Sequence, residues 1–428
     1  MVAAIVKIGI QTWGSEGDLR PFFALSAGLS AAGHAVSLSY ADVSFTITSQ
    51  LVELAAAHAV TSIPPANDVA EFRRLSRLLL TEPKPPHVQI STVLDHLLYP
   101  MEQQLVQDAE VLCRDNDVIV GHFLSYPLAA LAQKYDRPRI AVFTAPAYPS
   151  AYYVAAGVPD LGALGNRFTW WVARRVIEKM FGGPARKLYR DLGLPPVRSF
   201  IDQIWFSSLL NLVAVSPALF PRPKDWPQHH HVCGQLSLAE EPRGWQMPAP
   251  LQAFLDAGAP PVYMTFGSML VGEEHLATLL QILIEAARSA GCRAIIQADW
   301  SRAPDVVEDA DIYRLDRAPH AALFPRCAAV VHHGGAGTSH AATLAARPSV
   351  VVAHATDQLF WAATLRRLGL AGAPLQRRTL TVKRLARAMR EVLDSSEMKK
   401  SATRVGAAMQ PEDGVRAAVA HISASCCS

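Results

Sequence analysis

"VVHHGGAGTSHAATLAARPSVVVAHATDQLFWAATL", Val330–Leu365, decides how the rest of the chain is read. A β-branched run, "CAAVV" (Cys327–Val331), enters it and meets His332-His333 and then Gly334-Gly335-Ala336-Gly337-Thr338. A helix is expected from near Thr338, a strand at "PSVVVA" (Pro348–Ala353), and another helix after Asp357-Gln358. Glycine lets backbone amides approach a ligand with no side chain in the way. The unpaired amides at a helix start, with the helix dipole, attract anions. Thr338 can cap that helix or donate its hydroxyl to a phosphate, and His333 can donate a ring N–H to the same oxygens. A diphosphate cradle and a plain tight turn that needs small residues both fit these glycines. Asp357 and Gln358 follow the next strand, so in a parallel sheet they share the glycines' edge, where they can hold sugar hydroxyls. Asp357 also fits a helix N-cap, and both roles can hold at once.

The same alternation runs outward in both directions. "AAIVKIGI" (Ala3–Ile10), "HAVSLSYA" (His34–Ala41), "DVIVG" (Asp117–Gly121) and "RPRIAVFT" (Arg137–Thr144) read as strands. "PFFALSAGLSAAG" (Pro21–Gly33) reads as a helix opened by Pro and closed by Gly, with Phe22, Leu25 and Leu29 on one face. The rhythm breaks over 145–210 and over the Pro-dense "SPALFPRPKDWPQHHHVCG" (Ser216–Gly234), which reads as an interdomain connection. It resumes with "PVYMTF" (Pro261–Phe266), a helix over Glu273–Ala290, and "CRAIIQA" (Cys292–Ala298). The fold class expected is α/β: two tandem Rossmann-like doubly wound domains facing a central cleft. Ligands of such sheets sit at the carboxyl ends of the strands, so the expected site is that cleft, and Ser268 after "TFG" can reach the same phosphates. The expected boundaries are 1–220 for the first domain, 221–245 for the connection and 246–403 for the second domain.

A chain of 428 residues, half of them hydrophobic and 18% charged, has enough apolar material for two cores. A net charge of +3 gives no field for nucleic acid. The six cysteines form no C-x-x-C pair and no zinc spacing, which suits a reducing cytoplasm and argues for no metal. His229-His230-His231, consecutive on an extended segment, point to opposite faces and read as connection or strand. "MVAAIVKIGI" reads as a buried first strand rather than a signal peptide, and no apolar run reaches membrane-spanning length.

After the first strand, "QTWGSEGDLRP" lacks the dinucleotide fingerprint G-x-G-x-x-G, although Asp42 ends the second strand where a nicotinamide enzyme would place an acid. Read from the residues, Asp18 is a carboxylate at a helix N-terminus, stabilised by the dipole.

Val330–Leu365, with "GSEGDLRPFFALSAGLSAAGH" and "TFGSM", resembles the family 1 glycosyltransferases, which transfer sugar from a nucleotide diphosphate. "HHGGAGT…DQLFW" is most like the branch acting on sterols, lipids and polyketide or peptide aglycones, and the resemblance spans nearly the whole chain. It implies the two-domain GT-B architecture, acceptor in the first half and donor in the second, inversion at the sugar carbon and no metal or other cofactor. It also implies that the last helix, within 404–428, crosses back to the first domain. Asp18 of "GDLRP" matches the family's general base, a His in many members and Asp in the macrolide- and glycopeptide-type branches. His122, ending "VIVGH", lies where plant members place the acid that orients the base, which implies a pairing with Asp18; an ordinary structural histidine is the other reading. The donor set is Gly14, Ser15, Ser268, Arg317, Ala318, His320, His333, Gly335, Gly337, Thr338, Asp357 and Gln358. Arg317 stands where plant members stack a Trp on uracil, and Ala341 where they hold the ribose with Glu, so UDP- and dTDP-sugars both remain open.

"FTAPAYPSAYY" (Phe143–Tyr153) resembles the acceptor wall of sterol and lipid glycosyltransferases, which implies Phe143, Tyr148, Tyr152 and, from the next segment, Trp170 as acceptor residues. Gly165–Arg190 carries seven Lys/Arg against one Glu among aromatic residues. The first expectation is a helix packing its apolar side into the core; a lid over a hydrophobic acceptor and a peripheral contact with an anionic membrane face follow. The function expected is transfer of a hexose to a hydroxyl of a hydrophobic small molecule by a cytoplasmic enzyme. The alternatives are a sugar-nucleotide epimerase, a catalytically silent auxiliary partner and, last, a nicotinamide oxidoreductase.

Overall fold

The computed structural model describes residues 5–81, 86–154, 160–238, 245–267, 273–303, 310–354 and 356–426. The chain forms two compact units. One comprises Met1–Val69, Pro85–Ala239 and Asp413–Ser428; the other comprises Ala70–Lys84 and Glu240–Glu412.

Elements of the first half run β1 (Lys7–Gly14), α1 (Glu16–Ala31), β2 (Ala35–Asp42), α2 (Ser49–Leu54), β3 (Ala59–Ser62), α3 (Val69–Thr81), α4 (Pro86–Val93) and α5 (Glu102–Asp115). There follow β4 (Val118–His122), α6 (Tyr126–Lys134), β5 (Arg139–Phe143), α7 (Gly162–Asp191), β6 (Leu210–Val213) and β7 (His230–Val232). The second half runs α8 (Ala249–Asp256), β8 (Val262–Thr265), α9 (Glu273–Ala290), β9 (Ala294–Gln297), β10 (Ile312–Leu315), α10 (His320–Leu323), β11 (Ala329–His332) and α11 (Ala336–Leu344). It closes with β12 (Ser349–Ala353), α12 (Thr356–Arg367), β13 (Leu375–Gln376), α13 (Val382–Asp394), α14 (Ser396–Met409) and α15 (Gly414–Cys426).

Both sheets are parallel, ordered β3-β2-β1-β4-β5-β6-β7 and β10-β9-β8-β11-β12-β13. Each therefore reverses direction of growth once, between β1 and β4 and between β8 and β11. At such a switch point the strand-end loops diverge and leave room for a ligand. The second sheet is buried on both faces: Val262 and Met264 enter one core with Val331 and Val352, while Tyr263 enters another with Ile295 and Val330. That is the period of two expected of a central strand.

Several expectations shift. The helix expected from Pro21 opens at Glu16, with Pro21 inside it and Phe22, Leu25 and Leu29 fully buried. The cause is local: the Asp18 carboxylate turns back onto the Ser15 amide and starts the helix before proline can. The Pro-dense segment contains β7, which pairs with β6 and completes the first sheet. The terminal helix is two helices, α14 and α15, and Ala418 and Ile422 of α15 lie in the core of the first unit.

Candidate functional site

The carboxyl ends of the second sheet bring Gly267, Arg317, His333 and His354 to one edge, because all its strands run the same way. Gly334 holds φ at +91°, and a Cβ there would come within 2.9 Å of Val351 and 3.0 Å of the Gln358 carbonyl. Only glycine fits such a turn. Gly335 caps α11 with extended backbone, and a Cβ on it would meet His333 Nε2 at 2.4 Å. The imidazole thus lies directly over Gly335, with Gly267 beyond it: a Cβ there would sit 3.1 Å from His333 Cε1. At Gly337, by contrast, no atom of the described residues outside its own helix turn lies within 4 Å of the Cβ position. The first bond of the helix runs from Ser339 N–H to Gly335 O at 3.0 Å. Helix geometry leaves the amides of Ala336, Gly337 and Thr338 with no intrahelical acceptor.

Three basic groups surround this turn. Desolvation pushes His333 down to about 4. It pushes His354 down to about 3, with the nearby charges of His333 and Arg377 adding to the effect. The two rings stand 6.4 Å apart and nearly perpendicular. His354 Nδ1 donates to Val352 O at 2.9 Å, which leaves Nε2 as a buried acceptor without a partner among the described residues. His333 Nδ1 is likewise buried and unpartnered there. Arg377 follows β13, whose Gln376 pairs with Ala353, and desolvation lowers its guanidinium too. Each of these groups is penalised for holding positive charge, and a bound anion would relieve all three.

Gln358 is buried, and its Oε1 accepts from the His354 backbone N–H at 2.6 Å. The acceptor expected for sugar hydroxyls therefore braces the His354 loop through Oε1. Asp357 lies within the first turn of α12 rather than ahead of it. Its side chain and Ser268 lie outside the described residues. Thr338 is buried at 8% exposure. Arg317 is exposed, Ala318 is buried, and His320 stacks on Phe324 at 4.4 Å. Arg377 was not legible in the sequence, because only the register of the two-residue strand β13 carries it to this edge.

In the first unit, Gly14 (φ +135°) and Ser15 belong to the Asp18 turn. Ser15 N and Oγ each donate to Asp18 Oδ2 at 2.9 Å, and a Cβ on Gly14 would meet that oxygen at 2.5 Å. Asp18 is half-buried at the positive end of α1. The expected pairing of His122 with Asp18 is not made. His122 Nδ1 accepts the Leu124 N–H at 3.3 Å, and Nε2 has no partner among the described residues. Its ring sits among Trp13, Phe22 and Phe123, and burial pushes it down to about 3. Aromatic walls, not a carboxylate, surround this histidine. Asp42 accepts from the Ser44 amide and hydroxyl and from the amides of Thr46 and Ile47, so its oxygens are spent on its own turn.

The expected acceptor residues divide. Phe143 is 1% exposed and stacks on Phe123 at 4.9 Å; Trp170 is buried with its indole N–H on Tyr153 O at 3.0 Å. Both are core residues: β5 is an inner strand, and Trp170 lies on the buried face of α7. Tyr148 is half-buried against His230 and Phe206, while Tyr152 is 61% exposed. His230 belongs to that aromatic cluster and His231 stacks on His421. Among the described residues no group of three metal-binding side chains occurs.

Known proteins place this arrangement in a class. Residues 282–421 match the model of the erythromycin biosynthesis protein CIII-like C-terminal domain. The O-mycaminosyltylonolide 6-deoxyallosyltransferase of Streptomyces fradiae is 30% identical over 421 residues, 96% of this chain and 95% of the relative. The sterol 3-beta-glucosyltransferase of Komagataella phaffii is 28% identical over 430 residues, 96% of this chain, and the chain spans 34% of that protein's length. Among solved structures, the glycosyltransferase of kitacinnamycin superposes with a TM-score of 0.72 at 19% identity, covering 99% of each chain. The calicheamicin glycosyltransferase gives 0.71 at 16%, covering 98% of each. Fold and site thus define a GT-B glycosyltransferase. The chain belongs to the family of nucleotide-sugar glycosyltransferases that includes the macrolide and sterol enzymes.

Proposed function

We propose that the protein transfers a hexose from a UDP- or dTDP-sugar to a hydroxyl of a lipophilic small molecule, with inversion and without a metal. The observation that carries this reading is the His333 imidazole set over Gly335 at the start of α11. As the glycosidic bond breaks, negative charge grows on the leaving diphosphate. The amides of α11, His333, His354 and Arg377 supply donors and positive potential, the work a metal does elsewhere. Asp18 takes the proton of the incoming hydroxyl as the new bond forms; Ser15 holds the carboxylate by Oδ2 and so fixes its orientation. Direct displacement by that hydroxyl on the face opposite the diphosphate inverts the sugar carbon.

Both donors have counterparts among the structural neighbours: one glycosyltransferase was solved with thymidine diphosphate and another with UDP. The relatives act on a macrolide and on sterols, which supports a hydrophobic acceptor. The free cysteines of the described residues suit a reducing cytoplasm.

A panel of UDP- and dTDP-sugars in a thermal-shift assay, followed by mass spectrometry with pooled hydrophobic alcohols and chelator present, tests this. The expected result is one stabilising donor family and a hexosylated alcohol whose anomeric configuration is opposite to the donor's. An epimerised donor with no glycoside, a retained configuration, or loss of turnover on chelation would each overturn its part of the reading.

A further inference from the structure

One apolar side of α7 packs inward, as first expected, but a second apolar row on the helix does not. Leu164 is 82% exposed, Phe168 61%, Trp171 51%, Val172 40% and Val176 39%. Their spacing places them on one face. The opposite face, with Asn166, Trp170, Phe181, Ala185, Leu188 and Tyr189, is the buried one. The exposed rings are ordered: Phe168 and Trp171 stack at 5.8 Å, and the Arg175 guanidinium lies 4.3 Å from the Trp171 ring. Arg167, Arg175, Lys179, Arg186, Lys187 and Arg190 are exposed on the same helix. Of its two carboxylates, Glu178 is half-buried and accepts from Ser199 Oγ and the amides of Phe200 and Ile201. On the helix itself Asp191, paired with Lys187, offsets the positive charge in solvent, and Asp202 pairs with Arg174 from outside it. Farther along that face Gly183, Arg186 and Arg190, with Leu194, Pro196 and Val197, line a recess of about 660 Å³.

We propose that this face of α7 docks the protein on an anionic phospholipid bilayer. Leu164, Phe168 and Trp171 enter the boundary between headgroups and acyl chains, the basic side chains meet the negative headgroups, and the recess receives a lipid phosphate between Arg186 and Arg190. Exposed Trp and Phe interleaved with Arg and Lys match such a surface on both counts. Arginine presents paired donors to a phosphate. A second copy of this chain fits worse: a symmetric contact would set the same cationic face against itself. An acidic soluble partner satisfies the charge but offers nothing to the apolar stripe. The inference does not rest on glycosyl transfer, and its test involves no turnover.

Co-sedimentation of the full chain with phosphatidylcholine vesicles, with and without phosphatidylglycerol, reads it directly. Binding is expected with the anionic vesicles only, falling as salt rises. The double variant Phe168→Ser/Trp171→Ser is expected to bind at background. Arg186→Ala/Arg190→Ala is expected to lose on the order of tenfold or more in partition, at about fivefold per basic residue. Thermal melting of both should match the parent, since these side chains are exposed. Absence of binding to anionic vesicles, equal binding to neutral ones, or parent-like binding by the aromatic pair overturns the docking. Parent-like binding by the arginine pair overturns the recess. A dimer in sedimentation velocity that the aromatic pair dissociates, with no vesicle binding, assigns the face to a second copy and also overturns the proposal.

Discussion

Asp18 and His333 are single residues whose neighbours set their chemistry. The Ser15 amide and hydroxyl both donate to Asp18 Oδ2, an arrangement that orients the carboxylate. Asp18→Asn preserves shape and removes the base. Turnover should fall by about two to four orders of magnitude while the dissociation constant for donor stays within a small factor. Single-turnover kinetics beside calorimetry would check this, and unchanged turnover would remove Asp18 from the mechanism. Positive charge on His333, His354 or Arg377 is penalised in the free protein, where the two imidazoles are neutral near pH 7. A bound diphosphate must raise the two histidines, so binding takes up protons and tightens as pH falls from 8 toward 6. A nucleotide sugar is the right probe, because its diphosphate keeps its charge over that window. Calorimetry in two buffers of different ionisation heat should report net proton uptake, and Arg377→Ala should weaken binding by about tenfold, as for one charge-assisted hydrogen bond. Zero proton uptake with unaltered affinity in Arg377→Ala would take both groups out of the site. Motif reading reached His333 and Gly335 because their roles are local. It missed Arg377 and misjudged the pairing of His122, because those depend on strand register and on three aromatic rings distant in sequence.

The start of α11 separates a glycine needed for folding from one needed for binding. At Gly334 a methyl group meets Val351 and the Gln358 carbonyl, and φ lies at +91°. Gly334→Ala should cost about 1–3 kcal/mol of stability, read from the denaturant midpoint. Gly337→Ala meets nothing within 4 Å among the described residues outside its own helix turn and gains helix propensity of up to about 1 kcal/mol. Its melting temperature should hold or rise, yet affinity for nucleotide sugar should fall, since the methyl group enters the space a phosphate would use. Equal affinity would show that the ligand does not come against this turn. On α7 an amphipathic pattern was legible, but not which of its apolar residues, Trp170 and Phe181 or Phe168 and Trp171, face inward. Periodicity says that apolar residues line up; whether that line meets a core or solvent depends on Asn166, Trp170 and Tyr189, which take the inner side.

Over the whole molecule, the parallel α/β plan could be read from the strand-helix alternation, because buried parallel strands are continuous apolar runs. The strands left unread, such as β3 and β13, are sheet-edge segments of four and two residues with little apolar signal, and the wrap of α15 back to the first unit rests on the resemblance alone. The burial of titratable groups was also invisible, and it has a consequence for stability. His122, His332 and His340 are buried, and desolvation pushes them down to about 3, 3 and 4. In the unfolded chain each returns to the ordinary value near 6.5, so the unfolded state binds protons first. The stability these neutral rings contribute is whole above about pH 6.5 and is lost as pH falls toward their folded values. At pH 5 the loss approaches about 2 kcal/mol for each, roughly 6 for the three, a large part of the 5–15 kcal/mol typical of a folded protein. The denaturant midpoint should therefore decline steadily between pH 7 and pH 5, above the range where carboxylates titrate, and His340→Gln should flatten that decline. A midpoint constant across the window would mean that these imidazoles exchange protons with solvent in the folded state, and that the cores holding them are open.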